Sequence, residues 1–126
     1  MRNLHKYLLT PLLMTCVATN AIAGTLICSG DVEVLAYHQP GRLMVKLGSM
    51  NVPTFICSTD ADWIIAGSIS GNTTPSACKA IYATLLSAKL SDSAIQSMVF
   101  DGADVPPTCN SFVSWKNVNL RFFETH

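Results

Sequence analysis

The chain has 126 residues, eight basic and eight acidic, with a formal net charge of zero and no basic run or stripe. Nucleic acid and anionic membrane surfaces are therefore excluded as natural partners, and the length suits one domain rather than two.

Residues 1–23 have the parts of an export signal. Arg2 and Lys6 give a positive start, Leu8, Leu9, Leu12, Leu13 and Val17 an apolar centre, and Ala21-Ile22-Ala23 a small-x-small cleavage pattern. Thr10, Pro11, Thr15 and Asn20 interrupt the apolar stretch, which falls short of the ~20 residues a spanning helix needs. No stable membrane insertion is expected. Cys16 would suit a lipidation site only after a small residue, and Thr15 is bulky, so Cys16 is read as part of the leader. Cleavage after Ala23 leaves 126 − 23 = 103 residues, with 8 − 2 = 6 basic residues against eight acidic ones. The expected organisation is thus a signal peptide over 1–23 and a single domain over 24–126.

Asp31 to His38 alternates apolar and polar residues, Gln39-Pro40-Gly41 reads as a tight turn, and Arg42 to Leu47 alternates again, with Leu43, Val45 and Leu47 inward. This predicts a β-hairpin. Thr54 to Cys57 is short, apolar and β-prone, and Trp63-Ile64-Ile65 resumes as strand. Thr74 is placed to cap a helix with Pro75 at its first position. Cys78, Ile81, Tyr82, Leu85 and Leu86 share one predicted face. After Ser91–Ser93, Ile95 to Phe100 reads as strand and Asp101 to Asn110 as a loop stiffened by Pro106-Pro107. Lys116 to Phe123 closes the chain as a strand with Val118, Leu120 and Phe122 on one side.

The expected order is β-β-β-α-β-β, mainly β. It fits a small five-stranded OB-like barrel with one helix, or alternatively an open α+β sheet. Beyond the leader, Cys28, Cys57, Cys78 and Cys109 form an even set, too widely spaced for a zinc site and suited to two disulfides in an oxidising compartment. Three pairings are possible. Cys57–Cys78 with Cys28–Cys109 is favoured, because it ties a strand to a helix start and the N-terminus to a late loop. Each bridge is worth on the order of 3–4 kcal/mol by loop closure.

From Gly30 to Phe123 the chain resembles the binding subunits of pentameric bacterial toxins of the subtilase-cytotoxin and typhoid-toxin kind. The likeness is carried by Phe55-Ile56-Cys57, by Ala77-Cys78-Lys79 leading into Ile81 to Ala88, by Ile95 to Phe100, and by Cys109. It implies an OB-type fold, a periplasmic or secreted bacterial address, and a stand-alone, non-enzymatic member that binds a glycan or protein partner. It also implies a homo-oligomer, as a five-membered ring. The sugar-binding serine and aromatic residues of those subunits have no matching positions here, so no binding residue carries over.

Catalysis would need a base. After the leader only His38, in the predicted turn, and His126 remain, and both read as solvated. Asp60, Asp62, Asp101 and Asp104 sit in turns without the further acidic ligands a calcium loop needs, so neither metal nor cofactor is expected. Asn72-Thr73-Thr74 matches a glycosylation acceptor that would be silent in a bacterium. The candidate ligand-binding residues are Trp63, with Asp62 and Asn72 nearby, and Trp115 as a second flat face for a pyranose ring. Tyr37 and Met44 could form an apolar outer face. The expected function is an exported, non-enzymatic glycan- or protein-binding domain. The alternatives are an inhibitor or immunity-like protein acting through the Asp101 to Asn110 loop, or a small hydrolase accessory.

Overall fold

The computed structural model describes residues 24–125, so the expected export signal at 1–23 and His126 lie outside the described residues. Strands β1 (Gly24–Gly30), β2 (Val32–His38), β3 (Arg42–Leu47) and β4 (Thr54–Ser58) precede helix α1 (Pro75–Leu90). Strand β5 (Ile95–Gly102), a 3₁₀ turn (Cys109–Ser111) and strand β6 (Asn119–Thr125) follow. The strands form two three-stranded antiparallel sheets, ordered β1-β5-β6 and β2-β3-β4.

Six strands replace the five expected, and their pairing does not close into one five-stranded barrel. The added strand is β1, which joins β5 from Gly24 opposite Gly102 to Gly30 opposite Ile95. Only Asp31 separates it from β2. The chain bends there because Gly30 sits at φ +118°, and a Cβ at that position would lie 3.0 Å from the Gly48 nitrogen. Across the bend, Ser29 and Asp31 carbonyls accept from the Ser49 and Gly48 amides at 3.2 and 3.0 Å. A second junction joins the sheets at a parallel bridge between Phe55 and Asn117.

Two further expectations change. Trp63-Ile64-Ile65 is not a strand but a single antiparallel bridge from Trp63 to Thr73, since the polar loop that follows turns back at once. The closing strand starts at Asn119 rather than Lys116. Its expected inward face also breaks. Val99 pairs with Phe122 but Phe100 with Leu120, leaving Arg121 as an extra residue. One inserted residue reverses the alternation beyond it. Val118 and Leu120 are therefore buried, Phe122 turns outward, and Phe123 tucks partly under the sheet.

Helix α1 starts as its sequence dictates: the Thr74 side chain accepts from the Ala77 amide at 3.3 Å, and Pro75 occupies the first turn. Its buried seam is narrower than expected, with Cys78, Leu85 and Ala88 buried and Ile81 partly so, while Tyr82 faces solvent. Spacing of three, four and three residues is what a single line of contact leaves inside. At the other end Lys89 donates from Nζ to the carbonyls of Val32 and Glu33 at 2.8 and 2.9 Å, fastening the helix to β2.

The core is built from Leu43, Leu47, Phe55, Leu85, Met98 and Phe100, all fully buried. Each such side chain contributes ~1.5–3 kcal/mol relative to exposure. Of the three possible cysteine pairings, the fold uses Cys28–Cys109 and Cys57–Cys78, with Cα–Cα distances of 5.8 and 5.6 Å. The first sews β1 to the 3₁₀ turn, and the second sews β4 to the first turn of α1.

Candidate functional site

Of the two tryptophans in the chain, the fold buries one and presents the other. Trp63 is 8% exposed, and its indole nitrogen donates to the Val118 carbonyl at 2.9 Å. The candidate stacking role of Trp63 is thereby corrected: its ring is wall material between the 58–74 connection and β6, with no open face for a sugar. Asp62 and Asn72 are brought together across the Trp63–Thr73 bridge, the Asn72 amide donating to Asp62 at 2.9 Å. They close the neck of an exposed loop.

Trp115 is 60% exposed and has φ +69°, the left-handed region that costs a bulky residue ~1–2 kcal/mol. Two neighbours brace its ring and also meet each other. His38 lies edge-on with ring centroids 4.8 Å apart, Phe55 lies tilted at 5.8 Å, and His38 meets Phe55 edge-on at 5.6 Å. Beneath them the Arg42 guanidinium carbon sits 4.2 Å from the Phe55 ring centre. His38 and Arg42 are paired residues at the two ends of the β2–β3 turn, and Phe55 stands on β4 opposite Met44.

The segment carrying Trp115 is anchored on every side. Lys116, the next residue, offers its carbonyl to the Phe55 amide at 3.0 Å and the Thr54 hydroxyl at 2.8 Å. The Phe55 carbonyl then accepts from the Val118 amide at 3.0 Å. Upstream, Asn51 pairs with Phe112 through two hydrogen bonds of 2.9 Å, and Cys109 is held by Cys28. A strained, exposed aromatic residue held this firmly has little rearrangement to make on contact with a ligand.

Several sequence expectations meet the structure here. His38 is not a solvated turn residue but ends β2 and is half-buried among rings. Tyr37 is exposed as expected of an outer face, whereas Met44 is buried. The carboxylates are spread out. Asp60 accepts from the Thr59 hydroxyl at 3.0 Å, and Asp104 lies 3.9 Å from Lys116.

Asp101 is fully buried, not a turn residue. It accepts from the Ile69 amide at 3.0 Å and the Asn119 side-chain amide at 2.6 Å, and Asn119 also donates to Ser70. This pair on neighbouring strands pins the loop after Trp63 to the β5–β6 sheet. Among the described residues no three His, Cys, Asp or Glu gather as metal ligands would, and no helix is long and apolar enough to cross a membrane. His38 has no hydrogen bond to a hydroxyl or carboxylate among the described residues.

Sequence spacing gave no warning of the cluster, because its members come from positions 38, 42, 55 and 115 and meet only once both sheets are formed. The one local sign is the hairpin, which places 38 opposite 42. Compared with family models, curated proteins and solved structures, the chain matches none.

Proposed function

We propose that the chain is an exported, non-enzymatic binding domain that holds a carbohydrate ring against Trp115. The observation carrying this reading is the Trp115 side chain, 60% exposed and at φ +69° on an anchored loop, backed by His38 and Phe55. Exposure of a rigid ring costs little conformational entropy on binding, and its flat face suits the apolar side of a pyranose.

Reading the two sheets as an OB-type arrangement, as part of this proposal, points to the same place. If β1 and β2 are taken as one bent first strand, the remaining neighbours run β3, β4, then β6 through the parallel Phe55–Asn117 bridge, then β5 and back to β1. Ligands of OB folds sit on the second and third strands, between the first and last connecting loops. Here that region is the β3–β4 face between the β2–β3 turn and the β5–β6 connection, where Trp115 lies. Two disulfides in a domain of this size favour an oxidising compartment outside the cytoplasm.

A protein partner is the second reading, favoured by Val113, which is exposed on the same loop and widens the apolar surface. A glycan array read with the wild type and Trp115→Ala tests the first. Binding that Trp115→Ala abolishes is the expected result. Binding that survives the substitution contradicts the platform, and a silent array removes carbohydrate as the ligand.

A further inference from the structure

Each of the two sheets ends on a strand whose outer edge is open. Strand β6 closes the order β1-β5-β6, and β2 opens the order β2-β3-β4. Outside β5, no described residue hydrogen-bonds to the backbone of β6. The parallel bridge to Phe55 is made by Asn117, just before β6 begins, and the bulge at Arg121 comes early in the strand. Residues 122–124 are therefore a regular free edge. On β2, Lys89 takes the carbonyls of Val32 and Glu33, and outside β3 no described residue hydrogen-bonds to the backbone of residues 34–38.

Natural sheet edges are commonly blunted by proline, lysine or a free charge. Neither β2 nor β6 contains proline or lysine, and the Glu33 and Glu124 carboxylates are taken by Lys46 and the Ser97 hydroxyl. Both strands instead carry apolar side chains that a neighbouring strand would cover. Tyr37 is 54% and Phe122 49% exposed, and Leu35, Ala36 and Phe123 are only partly buried. Beside the β6 edge runs a groove of about 240 Å³, lined by Ile81 of α1 and by Leu120, Arg121, Phe122 and Phe123. It has room for a large side chain from an added strand.

We propose that the added strand is β2 of a second copy of this chain, so that copies join head to tail, β2 of one along β6 of the next. The proposal is independent of the carbohydrate reading. An open row of backbone donors and acceptors is satisfied by an extended strand, and this chain carries one that lacks a neighbour of its own. Both strands have seven residues, a length of about 23 Å at ~3.3 Å per residue. Within one molecule they lie in different sheets and are not neighbours, so each meets its complement only on another copy. A two-fold pairing of β6 with β6 would leave β2 uncovered. The head-to-tail contact uses two different surfaces, so a pair of copies still has one open β2 and one open β6. Assembly then continues to a ring or a filament. The β2 edge ends at His38, which braces Trp115, so the second copy lies next to the platform.

The test is sedimentation velocity and native mass spectrometry of the disulfide-intact protein. Wild type, Tyr37→Glu and Phe122→Glu are compared, each checked for an unchanged circular dichroism spectrum. Tyr37→Lys and Phe122→Lys serve where a glutamate variant loses that spectrum. Wild type should form a species larger than a dimer. Each variant blocks one edge with a charge and should run as a monomer. Mixed one to one, the two glutamate variants should form a dimer and nothing larger, because Phe122→Glu keeps an intact β2 and Tyr37→Glu an intact β6. A wild type that stays monomeric at millimolar concentration, or stops at a dimer, overturns the proposal. So does either variant assembling like the wild type, which places the contact elsewhere, and so does a mixture that stays monomeric.

Discussion

Replacing Trp115 by alanine and by glycine separates the strain at this residue from its packing. At 60% exposure about four-tenths of the ring is covered. A tryptophan buries about 150–250 Å², so that share corresponds to roughly 1.5–2.5 kcal/mol at ~25 cal/mol per Å². The contacts with His38 and Phe55 add about 0.5 kcal/mol each at the low end for aromatic pairs. Trp115→Ala should therefore destabilise the domain by about 2.5–3.5 kcal/mol, since alanine keeps the same left-handed backbone at φ +69°. Glycine loses the same packing but relieves a strain of about 1–2 kcal/mol, offset by about 0.4–1 kcal/mol of added freedom in the unfolded chain. Trp115→Gly should then be the more stable of the two by about 0.5–1 kcal/mol. Equilibrium guanidinium unfolding with both disulfides intact measures the difference. An alanine variant as stable as the glycine variant would refute the argument that Trp115 is held in strain for the sake of its exposed ring.

Other consequences follow from the anchors around the platform. Cys28 and Cys109 are 81 residues apart and Cys57 and Cys78 are 21 apart. By loop closure, replacing the first pair with alanines should cost about 4.5 kcal/mol and the second about 3, seen as a larger fall in unfolding midpoint for the first. Asp101→Ala leaves the Ile69 amide and the Asn119 side chain without their acceptor. It should destabilise by about 2–5 kcal/mol and make the loop from Ala66 to Thr73 the first site of limited proteolysis. Lys89→Met removes two charge-assisted bonds to the carbonyls of Val32 and Glu33. A loss of about 1–3 kcal/mol in guanidinium unfolding is expected, with faster amide exchange at the start of β2.

Local chemistry made part of this fold legible in the sequence. The hairpin from Val32 to Leu47 and the start of α1 are short-range structures, written in alternation, in a turn, and in the Thr74-Pro75 cap. Strand β1 was not legible, because Gly24 to Gly30 is short, bounded by glycines, and owes its conformation to pairing with β5 some seventy residues later. Trp63 and Trp115 illustrate the same limit at the site. Their local sequences, Asp62-Trp63-Ile64 and Ser114-Trp115-Lys116, do not say which ring points inward. Trp63 goes inside because Thr73 and Val118 supply partners for its backbone and its indole nitrogen. Trp115 stays outside because Lys116 and Val118 hold the backbone just after it against Phe55. Arg42 and His38 were unremarkable in sequence and gained meaning only beneath that ring.

Placing a single reporter at Trp115 examines the binding surface itself. The chain has two tryptophans, so Trp63→Phe leaves Trp115 as the one source of indole emission. Titration with the strongest-binding sugar of the array should shift that emission to the blue and shield it from acrylamide, because the ligand covers the exposed ring. Unchanged emission and unchanged quenching, with the sugar demonstrably bound, would mean that the ligand sits elsewhere and that the platform is not the binding site.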